Sequence, residues 1–329
     1  MKMFITGITG FVGGAVANYF CNLGYDVSGI GRKPALPSHI SKKCNYTQAD
    51  ICKPLDPIEA DIIIHAAALA SDTASFKEVY KVNVQGTQNV LQAAKAGHIV
   101  YISSSSVYHY LEHSMKETEA GQDYEKLSDY GKSKFLAEQL ITKEPGRNKK
   151  TILRPRAIYG KYDQVLLPRL LKLVKGNNLL LPQHLSNKIS LTHIDNIIHA
   201  VELCINNQTG CLEIFNVADK EVYDLHQILT TLLPLVVGKK LKEITIRASM
   251  FNLFVAINTK VKFNRSFNRF AASSLINTAV LNIDAITQQM NYDPLKNFNN
   301  SYAEIINWIH KEDGWKNFFN PNLYLKSMT

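Results

Sequence analysis

A tyrosine and a lysine stand four residues apart in Tyr130-Gly131-Lys132-Ser133-Lys134, a spacing that puts both on one face of a helix. A phenol with its ordinary pKa near ~10 is a poor base at neutral pH. A neighbouring ammonium favours the phenolate and brings Tyr130 into a useful range. Tyr130 then takes a proton from an alcohol or gives one to a carbonyl. Upstream, Ser103-Ser104-Ser105-Ser106 is expected to end a strand, where a hydroxyl can bond the reacting oxygen and orient it.

Such a site needs something to carry the electrons. Gly7-Ile8-Thr9-Gly10-Phe11-Val12-Gly13 has the spacing GxxGxxG directly after an apolar run and at the start of a helical pattern. Glycines allow a sharp turn and the close approach of a pyrophosphate, and the helix N-terminus offers free N–H groups. A dinucleotide is therefore expected on Gly7, Thr9, Gly10, Phe11, Val12 and Gly13, and its oxidised nicotinamide would favour the phenolate further. An NAD site commonly carries an acid at the end of the second strand, for the ribose hydroxyls. Here that place reads Gly31-Arg32-Lys33. Two cations without a carboxylate suit a 2′-phosphate, so NADP(H) is expected ahead of NAD.

These residues need a sheet to hold them. Strand patterns at Lys2–Thr6, Asp26–Ile30, Ile62–Ile64, Ile99–Ser103 and Thr151–Leu153 alternate with helical ones at Phe11–Leu23, Val79–Ala96 and Tyr130–Thr142. Gly24 and Gly97 are expected to close the first two helices. Crossover spacing of this kind predicts an α/β fold, a Rossmann-type doubly wound parallel sheet. After about Arg156 the pattern changes. Helices are expected at Leu166–Val174, Asp195–Cys204, Leu225–Leu233 (stopped by Pro234) and Ser301–His310, with a strand at Glu213–Val217. Residues 1–157 read as the dinucleotide domain and 158–329 as a smaller, mostly helical substrate lobe. Part of 190–217 is expected to fold back onto the first sheet.

Composition sets the limits. In 329 residues the hydrophobic share is 46% and the charged share 20%, which suits a folded enzyme with a large core and excludes disorder. The segment from Met1 to Phe20 reads as a first strand and phosphate loop rather than a secretion leader. No apolar run approaches the ~18 residues of a transmembrane helix. Five cysteines without a CxxC pair fit reduced thiols, and the expected location is cytoplasmic. The formal charge is +9 and uneven. Residues 237–275 hold Lys239, Lys240, Lys242, Arg247, Lys260, Lys262, Arg265 and Arg269 against Glu243 alone, interleaved with Phe251, Phe254, Phe263, Phe267 and Phe270. This reads first as a solvated face of the lobe with the aromatics as its core. Weak contact with an anionic membrane surface is the second reading, and a nucleic-acid partner is not expected.

Taken together, these residues resemble the extended short-chain dehydrogenase/reductase superfamily, also called the NAD-dependent epimerase/dehydratase family. The likeness runs through Gly7–Gly13, Asp50-Ile51, His65–Ala68, Asn83–Thr87, the serine run with Val107-Tyr108, Tyr130–Lys134 and Leu153–Pro155. It is good over roughly the first 220 residues. The resemblance implies that Ser104, four residues before Tyr108, is the catalytic serine. It implies that Asp50 and Ile51 flank the adenine and that Ala66, Ala67 and Ala68 line the cofactor near its ribose. Ser103 and Pro155 fall to the cofactor site as well, Pro155 beside the nicotinamide, and Lys134 would also grip the nicotinamide ribose. Related enzymes often dimerise through the tyrosine-bearing helix and a neighbour, so a homodimer is implied.

Departures narrow the chemistry. Sugar-nucleotide dehydratases place an Asp-Glu pair after the catalytic hydroxyl, and here stand Ser105-Ser106. Sugar-nucleotide enzymes place an asparagine three residues after the Arg154 position, and here stands Ala157. The stretches Leu153–Gly160 and Ser190–Asn196 look like the 3β-hydroxysteroid dehydrogenase-like branch, which works on hydroxyls and ketones of often apolar substrates. His109 replaces the usual glycine after Val107-Tyr108, so the following loop is expected to differ in shape. His109-Tyr110-Leu111-Glu112-His113 has a zinc-protease spacing, but it lies where a substrate loop is expected, so no metal is expected. His65 reads as a satisfied core histidine, His193 and Asp195 as a helix cap, and Cys21 and Cys204 as small core residues. The expected function is an NADP(H)-preferring oxidoreductase acting on a small, apolar hydroxyl or ketone substrate, sterol-like or β-keto/β-hydroxy. The alternatives are a nucleotide-sugar 4-epimerase with tightly held NAD and a non-catalytic dinucleotide sensor.

Overall fold

β1 (Lys2–Thr6) is an inner strand of a seven-stranded sheet, and its apolar residues face cores on both sides. The protein is described here from a computed structural model over residues 1–71, 74–109, 113–145, 149–182, 187–207, 210–247 and 277–311. On one side of β1 lie β2 (Asp26–Gly31) and β3 (Asn45–Gln48). On the other lie β4 (Ile58–His65), β5 (Ala94–Ile102), β6 (Lys149–Pro155) and β12 (Leu212–Val217). Every pairing in this sheet is parallel. The order β3-β2-β1-β4-β5-β6-β12 reverses direction between β1 and β4, and a ligand crevice forms at such a switch point. The Rossmann-type, doubly wound α/β fold is the observed one.

Helices cover both faces. α1 (Phe11–Asn22) packs with α6 (Ile194–Asn206) and α8 (Asp284–Met290) on one core, through Val16, Ala17, Phe20, Ile197, Val201 and Ile286. α2 (Phe76–Tyr80), α3 (Gly86–Ala93) and α4 (Asp129–Lys143) cover the other. The long helix expected over Val79–Ala96 is broken: a π-helical turn occupies Lys81–Gln85, and the chain turns to strand at Ala94. Gly97 therefore lies inside β5 and closes no helix, because Ala94 and Ala96 are drawn into the ladder beside Ile58 and Ala60. α7 (Leu225–Val237) runs through Pro234 and ends at Gly238 in the left-handed conformation. Pro234 continues the helix instead of stopping it. α5 (Leu166–Leu171) ends earlier than the sequence pattern, and the chain enters the short strand β8 (Val174–Lys175).

The C-terminal half has its own core of Tyr159, Leu167, Leu191, Ile228, Leu229, Phe298 and Trp308. It unites α5, α7 and α9 (Phe298–Lys311) with β7 (Ile158–Tyr159), β9 (Asn178–Pro182) and β13 (Tyr223–Asp224). Buried Asp219 ties the pieces together. It accepts from Tyr159 Oη at 2.7 Å, Tyr223 Oη at 2.9 Å, the His193 N–H at 2.8 Å and Asn196 Nδ2 at 2.7 Å. Burial holds its carboxyl up at about 6 in spite of these donors. Among the described residues no helix is long and apolar enough to cross a membrane. Of the basic stretch, residues 248–276 lie outside the described residues. Within it, Lys239 bonds Asn177 and Glu243 bonds His226.

β12 closes the sheet beside β6, and Asn216 on it fastens three other segments. Its Nδ2 donates to Met115 O at 2.9 Å and Asn282 O at 3.0 Å, and its Oδ1 accepts from Tyr108 Oη at 2.7 Å. Asn216, Tyr108 and Met115 are buried. Asn216→Ala leaves the Tyr108 hydroxyl proton and Asn282 O without this partner, so urea unfolding should show a lower midpoint, equivalent to a loss of about 2–3 kcal/mol, with the slope unchanged.

Candidate active site

The turn from β1 into α1 is made by glycines that nothing else can replace. Gly7 has φ +72°, and a Cβ on it would lie 2.8 Å from Ala67 backbone atoms. A Cβ on Gly13 would lie 2.3 Å from Gly7 O. The turn is thus pressed against Ala67 at the tip of β4, and α1 against the turn. Gly10 caps α1 with no side-chain hydrogen bond, and no acid stands in the first turn. No side chain competes for its opening N–H groups, and a pyrophosphate fits this cradle.

All the residues assigned to catalysis or to the cofactor in the sequence line one cavity of about 670 Å³. Gly7, Thr9, Gly10, Phe11, Val12 and Gly13 contribute the turn, Arg32 and Lys33 the end of β2, and Asp50 and Ile51 the segment after β3. Ala66, Ala67 and Ala68 follow β4, Ser103 and Ser104 follow β5, Tyr130 and Lys134 come from α4, and Pro155 ends β6. Arg32 and Lys33 are exposed. The Asp50 carboxylate accepts from the Cys52 N–H at 3.0 Å. That bond, and Arg32 nearby, hold it below the usual carboxylate range.

α4 starts at Ser128, whose hydroxyl accepts from the Gly131 N–H at 3.0 Å. Gly131 lets the helix touch the serine segment, since a Cβ there would lie 2.1 Å from Ser106 O. Ser104 accepts from the Ser106 N–H and donates to the Ser106 hydroxyl, both at 3.1 Å. Lys134 is 1% exposed. Its Nζ donates to Ile102 O at 2.7 Å and sits 4.0 Å from the centre of the Tyr101 ring. Burial pushes this ammonium down to about 7, against the opposing pull of Glu138.

Sequence reading missed what fixes α4. Glu138, 2% exposed, takes Arg154 of β6 in a two-pronged pair, Nε to Oε1 at 3.0 Å and Nη2 to Oε2 at 2.7 Å. Glu138 also accepts from the Ser103 hydroxyl. Arg154 Nη1 reaches Tyr108 Oη and Glu117 O, each at 2.8 Å. Asn83, in the π-helical turn, donates to the Ser133 hydroxyl at 2.9 Å and accepts from the Leu69 N–H at 2.7 Å. The signal was present: Glu138 stands four residues past Lys134, a charge on the buried face of a helix.

Other sequence signals fall outside the chemistry. His65 is buried between Thr6 Oγ1 at 2.6 Å and Thr87 Oγ1 at 2.8 Å, and burial takes its pKa down to about 3. His193 caps α6, its Nδ1 accepting from the Asp195 N–H at 3.1 Å. His113 pairs with Glu119 at 2.7 Å and His109 lies 3.9 Å from Asp123. Tyr110, Leu111 and Glu112 lie outside the described residues. Cys21 and Cys204 are buried in the first core, and Cys21 Sγ lies 2.7 Å from Cys44 Sγ.

A glycine-cradled crevice at the switch point, with a tyrosine and a buried lysine on the helix beside it, marks a dinucleotide-dependent α/β protein. The chain belongs to the NAD dependent epimerase/dehydratase family, whose pattern it matches over residues 3–218. It is 32% identical over 209 residues to a 2-alkyl-3-oxoalkanoate reductase of Stenotrophomonas maltophilia, covering 60% of this chain and 62% of that one. It is 29% identical over 217 residues to a 3 beta-hydroxysteroid dehydrogenase/Delta 5→4-isomerase of Mycobacterium tuberculosis, covering 60% and 58%. The matches thus span about three fifths of these relatives' own lengths. In fold it resembles the UDP-glucuronic acid 4-epimerase of Bacillus cereus, solved in complex with UDP-glucuronic acid and NAD. The TM-score is 0.72 at 19% identity, covering 95% of this chain and all of that one.

Gly131→Ala tests the contact between α4 and the serine segment. The added methyl forces α4 away from Ser106 O, and misplacement by about an ångström costs on the order of 10²-fold in rate. Turnover should fall by that order while dinucleotide titration still saturates, since Gly131 does not line the cavity.

Proposed function

We propose that the chain is an NADP(H)-preferring oxidoreductase acting on the hydroxyl or ketone carbon of a small, apolar substrate. When bound, the nicotinamide supplies or accepts the hydride. Tyr130 gives its hydroxyl proton to the carbonyl oxygen in reduction and takes it back in oxidation. Ser104 hydrogen-bonds the same oxygen and orients it. Lys134 bonds the nicotinamide ribose and favours the phenolate. Pro155, without an N–H, presents a flat apolar face to the ring.

One observation carries the reading. Ser104, Tyr130 and Lys134 share a single cavity with the glycine turn, so a dinucleotide on the turn and a substrate at the phenol occupy continuous space. The name of the Stenotrophomonas relative, a 3-oxoalkanoate reductase, supports ketone chemistry, and that of the mycobacterial one supports an apolar alcohol. The apolar lining contributed by Leu166, Leu167 and Leu170 suits either. Arg32 and Lys33 at the end of β2 support the 2′-phosphate.

Tyr130→Phe should lower turnover of an accepted ketone by about 10²–10⁴-fold while leaving dinucleotide affinity within a few-fold, as followed by NADPH absorbance and fluorescence titration. A variant that keeps full activity would remove Tyr130 from the mechanism. Interconversion of UDP-sugars without net NADPH turnover would favour the epimerase instead.

The cofactor preference has its own test. Arg32→Ser with Lys33→Ser removes the charge-assisted bonds to a 2′-phosphate, so NADPH affinity should fall by about 10–100-fold and NADH affinity should change little. Equal losses for both cofactors would exclude a 2′-phosphate role.

A further inference from the structure

The aromatic face against Lys134 has no role in the chemistry above. Tyr101 stands on β5 beside Ile102, whose carbonyl oxygen accepts from Lys134 Nζ at 2.7 Å. The centre of the Tyr101 ring lies 4.0 Å from the same nitrogen. Tyrosine and lysine are each 1% exposed, and Ala137 and Ile141 of α4 pack the ring in place. Lys134 and Tyr130 line the cavity, whereas Tyr101 does not. Tyr101 therefore acts through the lysine or not at all. The other charged and titratable groups around the ammonium have settled partners. Glu138, one turn further along α4, pulls on it but is shared with Arg154 and Ser103. His65 of β4 has its ring centre 5.3 Å from that of Tyr101. It is held between Thr6 and Thr87, and burial keeps it neutral.

We propose that Tyr101 is a positioning residue for the reaction: its ring keeps Lys134 an ammonium, so that the phenol of Tyr130, and not the lysine, gives up a proton. This rests on the hydride-transfer reading above and adds a residue to it. Burial brings Lys134 down to about 7, where loss of its own proton competes with loss of the phenol's. The two outcomes carry the same net charge and differ in chemistry. Phenolate beside ammonium is a base, ready to take the proton of an alcohol once its own has left to solvent. Phenol beside amine is not, and a neutral amine no longer favours the phenolate. The face of an aromatic ring is negative and attracts an ammonium, while a neutral amine gains little from it. In a site shut off from water that attraction shifts the balance between the two forms by up to about thirtyfold. An aliphatic side chain at position 101 would fill the space and leave the ammonium uncompensated. A carboxylate there would draw Nζ away from the cavity. A ring supplies attraction without a fixed acceptor.

Neither half of the test needs a substrate. The first titrates Lys134 in the Tyr130→Phe protein by carbon-13 NMR of labelled lysine Cε, with Lys134→Gln identifying its signal. Position 101 carries in turn Tyr, Phe, Phe with one, two or three ring fluorines, and Leu. The fluorines weaken the negative face at nearly constant size, so the series is informative even where Tyr101→Leu fails to fold. The midpoint should hold with Tyr101→Phe, fall stepwise with fluorine, and fall by about one pH unit or more with Tyr101→Leu. The second half keeps Tyr130 and reads its tyrosinate absorbance with NADP⁺ bound, as the difference from the Tyr130→Phe protein. Tyrosinate near neutral pH should persist in Tyr101→Phe and fall several-fold across the fluorinated series. A Lys134 midpoint that ignores fluorine would overturn the inference. So would equal losses in Tyr101→Phe and Tyr101→Leu, which would assign the effect to the hydroxyl. A midpoint that falls while tyrosinate stays constant would also overturn it, since the ring would hold the lysine without steering the proton. A stepwise Lys134 series with no Tyr130 tyrosinate in any protein would uphold the ring's grip on the ammonium and overturn the hydride-transfer reading.

Discussion

An ammonium buried to 1% exposure must be held by geometry rather than by water, and that requirement organises this crevice. Lys134 has a carbonyl oxygen at 2.7 Å and an aromatic face at 4.0 Å, which replace only part of its hydration. The remaining compensation is electrostatic and comes from Glu138 one turn further along α4. A carboxylate so buried would itself be costly, and Arg154 answers it with two parallel bonds. The chain of dependence runs from the site into the sheet: Lys134 needs Glu138, Glu138 needs Arg154, and Arg154 is fixed by β6. Removing either partner of the buried pair would cost about 3–5 kcal/mol, by stranding the other charge.

The same network reaches past α4. Ser103 gives its hydroxyl to Glu138, so the strand end that precedes Ser104 is pinned to the helix bearing Tyr130. Tyr108 joins Arg154 to Asn216, and Asn216 holds Met115 and Asn282. Serine segment, tyrosine helix and last strand are thereby set by one set of buried polar bonds. Gly131 and Gly13 act differently, by having no side chain. One lets α4 lie on Ser106 O and the other lets α1 lie on Gly7 O. Attraction in the polar network and close contact at the glycines fix opposite ends of the same crevice.

Local pattern carried much of this arrangement and missed the rest for identifiable reasons. The glycine turn, the alternation of strand and helix and the Tyr130–Lys134 pair are encoded within a few residues of each other, so spacing alone exposes them. Glu138 with Arg154, and Asn83 with Ser133, are pairs separated by 16 and 50 positions. Neither residue of such a pair announces the other before the sheet brings them together. The break at Lys81–Gln85 and the strand at Ala94 defeated the helical period for a related reason. Residues 79–96 carry a good helix pattern, but β4 offers Ala94–Ile102 a ladder, and tertiary pairing overrides local preference. Pro234 failed as a stop signal because α7 tolerates it near its C-terminus, one turn before Gly238.

The cavity gives these constraints a common purpose. Its glycine-turn end is built from backbone: glycines, helix N–H groups and three alanines, with Arg32 and Lys33 beside them. Its far end is built from leucines and isoleucines of a separate core. Ser104, Tyr130 and Lys134 bring hydroxyl, phenol and ammonium together between these two ends. A reaction that moves a hydride needs donor and acceptor carbon held together away from water, and an apolar recess opening onto a rigid polar junction supplies that exclusion. Rigidity at the junction is costly, as Ala157 shows with its left-handed backbone at φ 45° in the wall beside Arg156. Asp219 holds Tyr159 and Tyr223 across that wall, so the strained segment is locked by hydrogen bonds from the lobe itself. Fold stability and the shape of the recess are therefore set by the same residues, and the recess cannot be reshaped without loosening the lobe that forms it.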